Sequence, residues 1–167
     1  GHLSETRISV LDPVTGSVDP QHLNPHIDYS ELFTGLTPPP TDQKNHSLAT
    51  PLQMVVSSGG TVYVAAFGSA KVGVFNAATL EDPAFEASYD PTTASAGYIP
   101  TGGGPSGLAL DEANGRLYVL TRFDNAVAVV DTTTRATLAT HALHNPEPTP
   151  IVEGRPFLYD AVLTSGN

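Results

Sequence analysis

An all-β fold of repeated, antiparallel four-stranded units is predicted by three features of the chain. The first is an internal repeat. Residues 60–80 and 115–135 align without a gap, and Gly60, Tyr63, Val64, Val72, Val74 and Thr79 return as Gly115, Tyr118, Val119, Val127, Val129 and Thr134. The second is local. Val62-Tyr63-Val64 and Leu117-Tyr118-Val119-Leu120 are β-branched and aromatic runs bounded by Gly, Asn and Ser. The third is compositional. Charged residues are only 14% of the chain, and 15 Gly with 15 Pro suit many short strands joined by many turns. Repeats of this length built from short alternating strands mark β-propeller blades, and the copies present amount to about two and a half blades, an incomplete propeller fragment.

Residues 1–20 form a partial blade, because Ile8, Val10, Asp12 and Thr15 match Val72, Val74, Asn76 and Thr79. The turn from Asp12 to Gly16 carries an Asx side chain able to bond the backbone ahead of it. Residues 21–50, with Pro38-Pro39-Pro40, are too long for an ordinary connection and read as a loop or insertion. Residues 51–100 form a blade, turned at Ser58-Gly59-Gly60, at Gly68-Ser69 and at Asn76-Ala77-Ala78-Thr79. Its fourth strand is expected at residues 84–88 or 95–99. Residues 101–144 form the next blade, turned at Asn114-Gly115, Asp124-Asn125 and Asp131-Thr132-Thr133-Thr134. Residues 145–167 are a connection. No stretch shows a sustained helical period capped at both ends. Alternation along the third strands puts Val72, Val74, Val127 and Val129 on one face, expected to be buried between blades.

Charge narrows the partners. The formal net charge is −10, and Lys44 and Lys71 are the only lysines. Phosphate backbones and anionic membrane surfaces would repel such a chain, so neither nucleic acid nor membrane is expected as a partner. There is no cysteine, which excludes disulfides, thiolate metal sites and thioether-linked haem within these residues. The chain opens on Gly1-His2 with neither an initiator Met nor a signal peptide, as at a tagged or processed end. Two and a half blades are not expected to close a ring alone, so the partners expected are the protein's own remaining blades or other copies of itself.

No catalytic, cofactor-binding or metal-binding residue is predicted here. Gly102-Gly103-Gly104-Pro105-Ser106-Gly107 fits Gly-x-Gly-x-x-Gly, but Leu108-Ala109-Leu110 and a hairpin come after it. The dinucleotide mechanism needs a helix N-terminus at that point, so the glycines read as a turn between blades. His22 and His26 have a zinc-like spacing, but Pro25 between them opposes the helix that would align them. Asp111-Glu112 and Asp124-Asn125 fall at opposite ends of one blade, as turn formers. Asn45-His46-Ser47 fits a glycosylation acceptor. No Ser/His/Asp set has a nucleophile-elbow context. The candidate partner contacts are Arg122 and Phe123, in the loop between the second and third strands of their blade, and His141 and His144 at the end of its last strand.

Two resemblances are carried by named residues. Tyr118-Val119-Leu120-Thr121, followed by Val127-Ala128-Val129-Val130-Asp131-Thr132, resembles the YVTN-type bacterial propeller repeats, with Leu120 breaking the core motif and Tyr63-Val64-Ala65-Ala66 departing further. Gly154-Arg155-Pro156-Phe157-Leu158-Tyr159-Asp160, followed by Leu163-Thr164, resembles the start of the bacterial di-haem cytochrome c peroxidase domain, a family that includes methylamine-utilisation maturases. Pro156 is a departure there, standing where a helix would continue. The second resemblance implies a parent protein with c-type haem, exported to the periplasm or beyond the bacterial cell. In it these blades would scaffold or dock a haem domain absent from this chain. Other expectations are a binding module of a surface or secreted protein, and a hydrolase or lactonase with a channel metal.

Overall fold

The computed structural model describes residues 5–28 and 41–162. Gly1–Ser4, the triple proline at 38–40, and Leu163 and Thr164 of the terminal resemblance lie outside them. The described chain is mostly sheet, in antiparallel sheets of two, four and four strands. The first sheet is a hairpin of β1 (Arg7–Leu11) and β2 (Val18–His22). A six-residue helix α1 (Thr41–His46) comes next. The second sheet has the order β3 (Pro51–Val56), β4 (Thr61–Ala66), β5 (Lys71–Asn76), β6 (Ile99–Pro100). Between β5 and β6 run three short helices, α2 (Ala77–Leu80), α3 (Phe85–Ser88) and α4 (Pro91–Ala94). The third sheet runs through β7 (Pro105–Asp111), β8 (Arg116–Thr121), β9 (Ala126–Asp131) and β10 (Thr137–Ala142). The chain then enters α5 (Thr149–Tyr159).

The repeated turns are built as the sequence predicts. The Asp12 carboxylate accepts from the Val14 amide at 2.8 Å and from the Thr15 hydroxyl at 2.7 Å. Asp131 does the same for the Thr133 and Thr134 amides, at 3.0 and 2.8 Å. Asn76 accepts from the Ala78 amide at 2.9 Å and so caps α2. One local device, an Asx side chain satisfying the next free amides, thus ends the corresponding strand in all three sheets.

The helices correct the all-β expectation. Residues 84–88 are not the fourth strand, because 85–88 are helical; of 95–99 only Ile99 is in it, since 95–97 make a 3₁₀ turn. Phe85, Leu80 and Tyr98 are buried here against the second sheet. Phe85 stacks on Tyr89 with ring centroids 4.6 Å apart. The Tyr89 and Tyr98 hydroxyls bond each other, and burial pushes Tyr98 up to about 12. Asp90 accepts from the Thr92 amide and Pro91 takes the first helical position, so α4 has a proper start. α5 is a further departure from the all-β expectation. It begins with Pro at its N-terminus, where no amide is missed, and runs through Pro156 at the loss of one internal hydrogen bond.

Face-to-face stacking organises the core. In the second sheet Tyr63, Ala65, Val72 and Val74 share a forward face, and Val62, Val64, Ala66 and Phe75 share the rear. The rear face packs on Ile8, Leu23 and Leu48. The forward face packs on Leu108, Leu117, Val119, Ala128 and Val130, which form the rear face of the third sheet. Gln53 ties the two sheets, accepting from the Leu108 amide at 2.8 Å and donating to the Leu108 carbonyl at 3.3 Å. Glu112 accepts from the Ser58 amide at 2.9 Å, and Arg135 donates to the Gly97 carbonyl at 2.6 Å.

Val72 is fully buried, whereas Val74, and Val127 and Val129 on the third sheet's forward face, are only partly buried. The four valines do share one face, as expected. What differs is the cover, since the buried residues of β9 are Ala126, Ala128 and Val130. Val72→Ala should therefore cost about 1–3 kcal/mol through lost burial and a residual cavity, and Val129→Ala well under about 1 kcal/mol. Urea unfolding of the two variants checks this; equal losses would show that the third sheet's forward face is covered too.

Candidate functional site

The described chain brings one set of sequence-selected residues together, where the loop after β8 meets α5. Thr121 ends β8 with its hydroxyl donating to the Ala126 carbonyl, and Asn125 takes the left-handed conformation at φ 50° that closes the turn. Phe123 between them is buried rather than presented to a partner. Its ring lies 5.0 Å from the Phe67 ring and 6.2 Å from Tyr159, measured between centroids. Gly103 and Gly104 form its floor, and a Cβ on Gly103 would stand 2.3 Å from the Phe123 ring. The glycine run is thus a close-approach turn between sheets, followed by β7 and not by a helix.

Arg155 locks the helix to this loop. It donates to the Arg122 and Phe123 carbonyls at 2.8 and 3.0 Å and pairs with Glu147. The Ala161 amide donates to the Gly68 carbonyl at 2.7 Å, fixing the chain beyond α5. Between loop and helix runs an open groove of about 530 Å³, lined by Phe67, Arg122, Ile151, Arg155, Leu158 and Tyr159 among others. Arg122 is exposed at its edge and has no ion pair among the described residues. Ile151, Phe157 and Leu158 are exposed on α5, Phe157 by 76%. This arrangement can grip an apolar surface and pair with an acidic group beside it. Its own carboxylate, Glu147, is engaged by Arg155.

His144 lies at the same end of the sheet as Arg122, because its carbonyl accepts from Asn125 at 3.0 Å. His141 is separate from the groove, opposite Val127 on the third sheet's forward face. Both are exposed. Asp111 and Glu112 fall at the other end of the sheet, in the turn between β7 and β8.

A second cluster has no counterpart in the sequence pattern. His26 meets His46, their rings edge to face at 6.5 Å. His46 Nδ1 lies 2.6 Å from the Ser95 hydroxyl, and Nε2 lies 3.6 Å from Asp42. This has the composition of a Ser-His-Asp set, with Asp42 90% exposed at its outer end. Ser95 and His46 are 49 residues apart, so no local pattern could have revealed them. Among the described residues no three His, Asp or Glu side chains are placed to hold a metal ion.

This geometry sets two expected outcomes. Gly103→Ala should destabilise the fold by roughly 1–3 kcal/mol through overpacking against Phe123. Gly154→Ala, with open space around its Cβ and a helical position, should be neutral or stabilising by up to about 1 kcal/mol. Chemical denaturation decides, and equal effects would refute the close approach. His26 supplies a pH dependence. Burial is the main cause that holds its pKa below the ordinary value of 6.5, although its Nε2 meets the Gln43 carbonyl. Below pH 6.5 the unfolded chain takes up a proton that the folded chain resists. Stability should therefore fall as pH drops from there toward the folded value, and be independent of this group above it. His26→Gln should flatten that slope in parallel denaturation curves; an unchanged slope would show that His26 protonates freely.

No protein-family model matches the chain, and no curated protein is significantly similar to it.

Proposed function

We propose that this chain is the propeller-blade portion of an exported bacterial di-haem cytochrome c peroxidase-like protein, in which it scaffolds the haem domain. The observation that carries this reading is the docking of α5. The segment resembling the opening of that domain is held against the sheet ends by Arg155 and by the Phe67, Phe123 and Tyr159 rings. Its residues Phe157 and Leu158 stay exposed despite that anchor, as an apolar seat for the haem domain. A rigid exit fixes orientation, and orientation is the property a scaffold has to supply.

With no cysteine, these residues cannot attach haem through thioethers, and no redox step is assigned to them. The c-type haem belongs to the inferred parent, in the periplasm or outside the cell. A second reading, a binding module, is favoured by the open groove beside Arg122 and draws on the same exposed residues.

The parent protein, expressed with haem maturation in a periplasm, should show a c-type haem spectrum. A colourless product would remove the leading reading. In the parent, Phe157→Asp should loosen the haem domain and speed proteolysis between it and the blades, while urea unfolding of the blades stays unchanged.

A further inference from the structure

We propose that the forward face of the third sheet is a self-association surface, which takes the hairpin end of a second copy of this chain. The contact is independent of any haem domain. The chain itself displays how such a face is covered. In the second sheet Tyr63, Ala65, Val72 and Val74 lie under the rear face of the next sheet. In the third sheet the repeat puts Tyr118, Leu120, Val127 and Val129 at the same register positions, paired Tyr118 to Val129 and Leu120 to Val127. Tyr63 is 5% exposed and its counterpart Tyr118 is 38% exposed. Ala65 and Val72 are buried, whereas their counterparts Leu120 and Val127 are only partly covered, as is Val129, so the same surface chemistry is sealed in one sheet and only partly covered in the other.

The complementary surface is also open. At the opposite end of the stack, the rear of the hairpin carries Leu11 opposite Val18, both more than half exposed. Beside it Met54 and Val56 stand exposed on the rear face of the second sheet, where the two-stranded hairpin does not reach. Stacking within the chain always sets a forward face on a rear face. Ile8 does so against the second sheet, and the second sheet does so against the third. A second copy continues that order, its hairpin end seated on the forward face of the first. Such a contact is heterologous, and it makes a ring if the rotation closes and an open chain if it does not. At one end the forward face carries Arg116, paired with Asp131 at 2.8 Å, and beside it Asp111, whose carboxylate accepts from Asn114. The net charge of −10 opposes association at long range, so added salt should strengthen it.

Three proteins test this: the wild type, Val129→Glu and Val18→Glu, each followed by mass photometry and sedimentation, with circular dichroism confirming the fold. The wild type should self-associate at micromolar concentration. Each variant buries a carboxylate in the contact and should lose self-affinity by roughly tenfold or more. Mixed together, the variants should form a one-to-one pair, because Val18→Glu keeps an intact forward face and Val129→Glu keeps an intact hairpin end. Leu120→Lys replaces Val129→Glu if that variant misfolds. A wild type that stays monomeric at tens of micromolar overturns the assignment. So do variants that associate like the wild type, or a mixture that stays monomeric.

Discussion

Alternation of side chains along a strand is the constraint on which the rest depends. Each strand of the two four-stranded sheets sends apolar residues to both faces, so neither face tolerates water well. Covering both faces of such a sheet removes the most apolar area from water. The second sheet has both covers: the hairpin and the helices of 77–97 behind, and the third sheet in front. The small and branched side chains at the front, Ala65 and Val72 against Ala128 and Val130, let the sheets approach closely. Polar ties are few and sit where the layers meet at their margins. Gln53 satisfies both backbone groups of Leu108, and Glu112 receives the turn at Ser58. These bonds fix the angle between sheets, and apolar area holds them together.

The site at α5 depends on that stacking. Phe67 comes from the second sheet's loop, Phe123 from the third sheet's loop, and Tyr159 from the helix. Their rings meet only because the two sheets are in register at that end. Gly103 and Gly104 leave room for Phe123, and Arg155 joins the helix to its backbone. A loop with the composition of a partner contact is therefore mostly an internal joint, and the exposed chemistry lies on Arg122 and on the helix.

Much of the sheet structure is legible in the sequence because the repeat, the turn residues and the period-two pattern agree. The Asx turns at Asp12, Asn76 and Asp131 appear where their sequences put them. The residues between β5 and β6 are not legible. Their helices are four residues each, too short for periodicity, and their order comes from burying Leu80, Phe85 and Tyr98. Asn76 before α2 and Asp90-Pro91 at the start of α4 are the capping signals there. α5 is hidden by Pro156 and by the lack of a side-chain cap at Pro148. Phe123 is buried although its loop position suggests exposure, because its cover comes from Gly103 and Tyr159, distant in sequence. The bonds that Arg155 makes to Arg122 and Phe123, and the one His26 makes to Gln43, join residues 17 to 33 positions apart, beyond any local rule.

β10 has a consequence of another kind. It is an outermost strand, paired on one side only, and five of its six residues are exposed. The free energy needed to peel it away is a local quantity, far below that of unfolding the sheets. Its departure would not stop at the strand. The Leu143 amide and His144 carbonyl, just beyond it, bond Asn125, and the next segment leads into α5. Fraying of β10 would thus slacken the approach to the helix while Arg155 still held its middle. The helix itself stays held at Arg155, at Tyr159 and at Ala161, so the slack would be confined to the strand and the segment before the helix, and the helix would keep its orientation.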